Sequence, residues 1–176
     1  MSTYRLKNLL APRSVALIGA SPRQGSVGRA ILDNIRKAQF AGEFGLVNPR
    51  YRDIDGVASV ASIGRLGFAP ELVVITAPAQ TIPNLIDEAG SHGAAGAVIV
   101  SAGLGHGTGS LAEAAELAAR KYGMRLIGPN CLGIMMPGVS LNASFSAHMP
   151  AAGNLALISQ SGAIAAGMVD WAAQRS

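Results

Sequence analysis

The sequence predicts an α/β protein built on a doubly wound parallel sheet of about five strands, followed by the start of a second α/β unit. Three observations carry that expectation. Short runs such as Val15, Ala16, Leu17 and Ile18 are apolar without alternation, the mark of strands buried on both faces. Between such runs lie segments with apolar residues at helical spacing, and the strands recur at intervals of about 25 to 30 residues, the size of a βαβ unit. The runs end in Gly, Pro, Asn or Ser, which places turns at the carboxyl ends of the strands, where open α/β sheets take their ligands.

Taken in order, residues 14–19 form the first strand after a polar start. A helix over residues 26–40 follows, with Val27, Ala30, Ile31, Ile35 and Ala38 on one face and Arg29, Asp33, Arg36 and Lys37 on the other. Residues 44–47 form the second strand, closed by Asn48 and Pro49, because proline cannot continue a central ladder. Residues 51–69 are expected as a loop with a short helix around 57–63. A third strand at 72–76, a helix at 81–92 and a fourth strand at 97–100 come next. A glycine-rich loop at 103–109, a helix at 110–122 and a fifth strand at 124–127 complete the first domain, residues 1–131. Residues 132–153 lose the rhythm and are expected as a linker. A strand at 155–158, a turn at 159–162 and a helix to the end are expected as the truncated start of a second domain, residues 154–176. A lone strand and helix cannot bury their own apolar faces, so a longer polypeptide is implied.

Composition narrows the function. With 176 residues, 49% of them apolar and 14% charged, the chain is long enough and apolar enough for a packed core, and it is not a disordered segment. One cysteine, Cys131, permits no intrachain disulfide and suits a reducing compartment. The early apolar run is too short for a signal peptide or a membrane span, so a soluble cytoplasmic protein without a membrane partner is expected. Residues 1–52 hold nine basic and two acidic side chains, a net +7; the remainder holds five and eight, a net −3. A solvated basic face is the plain explanation, and an anionic small ligand near the first two strands is the functional one. Scarce aromatics without basic interleaving argue against nucleic acid.

The junction between the first strand and the first helix holds the chemistry. Gly19, Ser21, Arg23, Gln24 and Gly25 form a turn that leads into a helix N-terminus, where unpaired N–H groups and the helix dipole suit a phosphate. The turn is not a regular G-x-G-x-x-G fingerprint, because Ser21 stands where a glycine is required. At the end of the second strand an enzyme using NAD usually places an acid; here Asn48, Pro49 and Arg50 occupy that position. Arginine suits a ribose that carries a phosphate, either NADP or the 3′-phosphate of coenzyme A. An exposed Arg50 without a ligand is the plain alternative. Cys131 follows a strand end, but with no partnered histidine it reads as a small buried residue rather than a nucleophile. No catalytic residue and no metal ligand is assigned.

Seven motifs occur in register: residues 12–21 (PRSVALIGAS), 47–51 (VNPRY), 75–79 (ITAPA), 101–103 (SAG), 126–133 (LIGPNCLG), 141–143 (LNA) and 158–162 (ISQSG). This succession resembles the N-terminal CoA-binding domain of NDP-forming acyl-CoA synthetases and, more distantly, the succinyl-CoA synthetase α-subunit. The resemblance implies a Rossmann-like first domain, a flavodoxin-like second domain and coenzyme A or acyl-CoA as ligand. It assigns the coenzyme phosphates to Ser21, Arg23, Gln24 and Gly25, and the adenosine side to Asn48, Pro49 and Arg50. The loops Thr76, Ala77, Pro78 and Val100, Ser101, Ala102 line the same site. Ser159, Gln160, Ser161 and Gly162 match a helix start that faces a phosphohistidine. None of His92, His106 and His148 matches that histidine, and no ATP-grasp domain is present, so the chain by itself is expected to bind coenzyme A and catalyse nothing. The partners implied are downstream domains or a partner subunit. Two alternatives stay open: a regulatory domain fused to a GNAT-type lysine acetyltransferase, and an NADP-linked oxidoreductase fragment.

Overall fold

The computed structural model describes residues 5–174. Its frame is a seven-stranded sheet in the order β3-β4-β2-β1-β5-β6-β7. These strands are β1 (Ser14–Ile18), β2 (Glu43–Val47), β3 (Asp53–Ile54), β4 (Val57–Val60), β5 (Leu72–Ile75), β6 (Gly96–Ile99) and β7 (Arg125–Ile127). All neighbouring pairs are parallel except β3 with β4. The five strands expected from the apolar runs are β1, β2, β5, β6 and β7. The short helix expected around 57–63 is instead the strand β4, with a 3₁₀ turn at Ile63–Arg65 after it. Val57 and Val60 are apolar at β-compatible positions, and the edge of β2 offers a ladder that local pattern alone does not reveal.

The sheet is buried on both faces, as its uniform apolar strands require. Ala16, Ile18, Val73, Ile75, Ala97 and Ile99 face helices α3 (Ile82–Ser91) and α4 (Leu111–Lys121). Val15, Leu17, Leu72, Val74 and Val98 face the other way, toward α2 (Val27–Ala38). Ser26 caps α2 by accepting from the Arg29 N–H at 3.4 Å, and Ser110 caps α4 by accepting from Glu113 N–H at 3.1 Å. A short helix α1 (Leu6–Leu10), within the segment read as a polar start, buries Leu9 beside β6.

The expected linker is part of this core. Residues 133–144 form an antiparallel pair, β8 (Gly133–Met136) and β9 (Leu141–Ser144), and Leu141 and Ala143 pack against α2 with no exposed surface. The Asn34 side chain donates to the carbonyls of Ser144 and Ser146 at 2.8 and 2.7 Å, fastening the pair to α2. The pair covers apolar surface of α2 that the sheet leaves open, which is why a segment without periodicity is ordered.

Residues 155–158 do not form the expected strand. No described segment offers them a ladder, and Leu155 and Ile158 are almost fully exposed. The helix expected after them is α5 (Gly162–Ala173), capped by Ser161, whose hydroxyl accepts from Ile164 N–H at 3.3 Å. No helix among the described residues is long and apolar enough to cross a membrane.

Candidate functional site

Strand order reverses at β1: β2 and β4 lie to one side, β5, β6 and β7 to the other. Such a reversal opens a crevice at the carboxyl ends of the strands. The turn at residues 19–26 stands at that point. Gly19 has φ +90°, and a Cβ there would sit 2.8 Å from the Ala77 nitrogen, so only glycine lets β1 turn this close to the end of β5. Gly28 lets α2 approach as closely: a Cβ would meet the Thr76 hydroxyl at 2.7 Å.

The turn presents donors. Ser26 N–H closes it by donating to the Arg23 carbonyl at 3.3 Å, and the Ser26 hydroxyl donates to the same carbonyl at 2.8 Å. The amide N–H groups of Gln24, Gly25, Val27 and Gly28 meet no acceptor among the described residues. They stand at the positive end of a twelve-residue helix, an arrangement that fits a diphosphate. Arg23, exposed beside them, adds a cation without an ion-pair partner among the described residues.

Asn48 holds this turn in place. It is buried, donates from Nδ2 to the Ala20 carbonyl at 2.6 Å and accepts from Arg50 N–H at 2.8 Å. Arg29 braces the other flank through ion pairs with Asp33 and Asp55, so its charge is spent within the protein.

Two clefts flank the turn. The larger, of about 710 Å³, is lined by Thr76, Val100, Ser101 and Ala102 just beyond β5 and β6, by Asn130, Cys131 and Leu132 after β7, by Val27 and Phe145, and by Gln160, Gly162, Ala163 and Ala166. Its polar groups are largely committed: Thr76 Oγ1 donates to the Ile18 carbonyl at 3.1 Å, and Ser101 Oγ to the Ala77 carbonyl at 2.6 Å. The Cys131 thiol donates to the Ile99 carbonyl at 3.4 Å, and burial pushes its pKa up, so it is a protonated lining group rather than a thiolate. The smaller cleft, of about 420 Å³, is lined by Asn48, Pro49, Tyr51, Arg52, Ser59, Val60, Ala61 and Arg65.

The sequence-predicted residues thus divide. Thr76, Val100, Ser101 and Ala102, with Gln160 and Gly162, meet in the larger cleft, and Asn48 and Pro49 lie in the smaller. Gly19, Ser21, Arg23, Gln24 and Gly25 form the turn between them, Ala77 lies against Gly19, and Pro78 lines neither cleft. Arg50, Ser159 and Ser161 line neither cleft, and Ser159 is bonded to Ser161 in both directions at 3.0 Å. No histidine lines either of these two clefts; His148 pairs with Asp170 at 3.1 Å. Sequence reasoning missed Phe145, which lay in the expected linker, and Tyr51, Arg52 and Arg65, which lay in the expected loop. No local signal marks them: in residues 51–69 Arg52 and Arg65 are matched in number by Asp53 and Asp55.

A family model described as a CoA binding domain matches residues 13–137. The ADP-forming acetate–CoA ligase I of Archaeoglobus fulgidus is 38% identical over 170 residues, covering 94% of this chain and 24% of the ligase. The subunit alpha of ADP-forming acetate–CoA ligase II from Pyrococcus furiosus is 39% identical over 161 residues, covering 90% of this chain and 35% of the subunit. The solved structure of dinucleotide-forming acetyl-coenzyme A synthetase 1 from Ca. Korarchaeum cryptofilum superposes with a TM-score of 0.86 at 29% identity, over 96% of this chain and 37% of that one. The chain spans about a quarter to a third of the curated relatives it matches.

Fold and site together define a Rossmann-like domain with a glycine turn of unpaired amides, ahead of a helix N-terminus, at its topological switch point. More particularly, the chain belongs to the CoA-binding domain family and is homologous to part of ADP-forming acetate–CoA ligases. Coenzyme A is the cofactor that this membership assigns.

Proposed function

We propose that the chain is the coenzyme A-binding part of an NDP-forming acyl-CoA synthetase of the cytoplasm, working with further domains or a partner subunit that carry the phosphoryl chemistry. The observation that carries this reading is the set of unpaired amides of Gln24, Gly25, Val27 and Gly28 with a cleft on either side. A diphosphate sits on the turn, between the positive helix end and Arg23. The pantetheine arm runs through the larger cleft, whose apolar wall of Val27, Val100, Leu132 and Phe145 suits a thin, weakly polar chain. The adenosine end turns toward β2, with Arg50 near its phosphates.

Residues 154–176 are the beginning of a second unit in this reading. Leu155 is 99% and Ile158 97% exposed, and Ile164 and Trp171 on α5 are exposed as well, more apolar surface than a finished helix face leaves open. The Ser159 to Gly162 turn then presents the α5 N-terminus to a phosphorylated side chain supplied from outside the described residues.

Titration calorimetry with coenzyme A and NADP tests the reading. Saturable binding of coenzyme A with no heat from NADP is expected. Binding of NADP alone would overturn it in favour of an oxidoreductase fragment.

A further inference from the structure

Helix α5 forms one wall of the larger cleft but is scarcely attached to the body that forms the rest. Gly162, Ala163 and Ala166 of α5 line the cleft together with Val27, Val100 and Phe145. Yet Val169 is the only buried residue between positions 147 and 174. Residues 145–161 hold no helix or strand, and residues 151–160 are exposed throughout. Asn34 fastens the Ser146 carbonyl at 2.7 Å. Beyond that anchor, among the described residues, no hydrogen bond links residues 147–170 to the chain before residue 147.

A second feature limits how far the helix can travel. His148 Nδ1 and Asp170 Oδ1 lie 3.1 Å apart, so the strap that follows Ser146 is tied at its start to the last turn of α5. Both side chains are more than half exposed, and a pair of that kind holds weakly. One buried valine, one exposed pair and a strap without structure of its own thus keep α5 beside the cleft. Few buried contacts and a solvated connection are the marks of a segment of low local stability. A ligand lying between such a wall and a rigid body touches both. It binds the docked arrangement more tightly than the open one, and the equilibrium shifts by that difference.

We propose that α5 is a movable wall that the coenzyme closes. With the pantetheine arm in the larger cleft, Ala163 and Ala166 pack on it from α5 while Val27, Val100 and Phe145 hold it from the sheet side. Without the arm, α5 moves away on the strap of residues 147–161, within the reach that His148 and Asp170 allow. Small side chains at 163 and 166 suit the role, because they let the helix close on a thin chain without leaving a gap. This closure rests on the coenzyme A reading and adds regulation to the same site: the diphosphate meets a preformed turn, whereas the arm completes its own enclosure.

Amide hydrogen exchange on the full chain, with and without saturating coenzyme A, tests it. In the free chain residues 165–173 are expected to exchange faster than β1, β5 and β6. Coenzyme A should slow them by at least about fivefold, alongside the amides of Gln24, Gly25, Val27 and Gly28. Adenosine 3′,5′-bisphosphate, which lacks the pantetheine arm, should leave residues 165–173 as in the free chain. His148→Ala is expected to speed their exchange in the free chain by about twofold and to leave it near wild type with coenzyme A, since residue 148 lines neither cleft. Ala166→Glu, which puts a charge on the α5 side of the cleft, should weaken coenzyme A by roughly threefold to tenfold and abolish the slowing, at an unchanged melting temperature. Slowing at the turn without slowing at α5 overturns the closure and leaves the coenzyme A reading standing. An α5 that already exchanges as slowly as the central strands in the free chain does the same, as does equal slowing by the bisphosphate. No slowing anywhere, with no heat of coenzyme A binding, overturns both.

Discussion

The side-chain amide of Asn48 donates to the main-chain carbonyl of Ala20 at 2.6 Å, joining the end of β2 to the turn after β1. Asn48 is buried, and its oxygen is also occupied, by Arg50 N–H. It therefore holds two loops at a set separation, with neither end of its amide left free to meet a ligand.

Asn48→Ala is expected to lower unfolding stability by about 1–3 kcal/mol, because it strands the Ala20 carbonyl and the Arg50 amide. Coenzyme A affinity should fall with it, while Asn48→Asp, which keeps the acceptor but loses the donor, should recover only part. Urea denaturation and calorimetry on the same samples measure both effects.

Two glycines of the turn separate conformational strain from steric contact. Gly19→Ala combines a positive φ with a Cβ 2.8 Å from main chain, and should cost more than the roughly 1–2 kcal/mol of a left-handed residue alone. Gly25 has φ +72° with open space where a Cβ would go, so Gly25→Ala should cost only that smaller amount. Equal losses in thermal denaturation would mean that the close approach to Ala77 is not what requires glycine at position 19.

Leu141→Ala should destabilise by about 2–5 kcal/mol, the range for a fully buried leucine. A segment acting only as a linker would tolerate that change within about 0.5 kcal/mol. A chain ending at residue 131 should likewise lose cooperative unfolding, because α2 would lose its cover.

Glu71 links pH to stability. Partial burial works to raise its pKa, but hydrogen bonds from the Arg13 main chain and guanidinium, at 2.8 and 2.9 Å, outweigh that and hold the carboxyl below its usual range. The unfolded state then binds the proton more readily, so the contribution is present above about pH 4.3 and is lost as pH falls through the lowered folded value. Glu71→Gln should flatten the acid limb of the stability curve and leave the neutral-to-alkaline limb parallel to wild type.

The sheet was legible because its central strands are apolar on both faces, and a pattern of that kind has few other uses. The turn was legible because glycine, serine and a helix start adjoin in sequence. The hairpin of β8 and β9 was not, since Met136, Pro137, Gly138 and Ser140 give no period, and its order comes from the uncovered side of α2. The strand expected at 155–158 failed for the converse reason: the residues have strand character, but a ladder needs a neighbour.

By itself, then, the amino-acid sequence determined the α/β rhythm, the glycine-bearing turn at residues 19–26 and the strand-end loops of the larger cleft, since each is a property of residues adjacent in the chain. Tertiary structure alone decided that Arg52 and Arg65 share one cleft with Ser59, and that Arg50 does not line it. Arg52 and Ser59 meet across the antiparallel pairing of β3 with β4, and Arg65 closes the turn after β4, so the cleft depends on main-chain hydrogen bonds that carry no signature in local sequence.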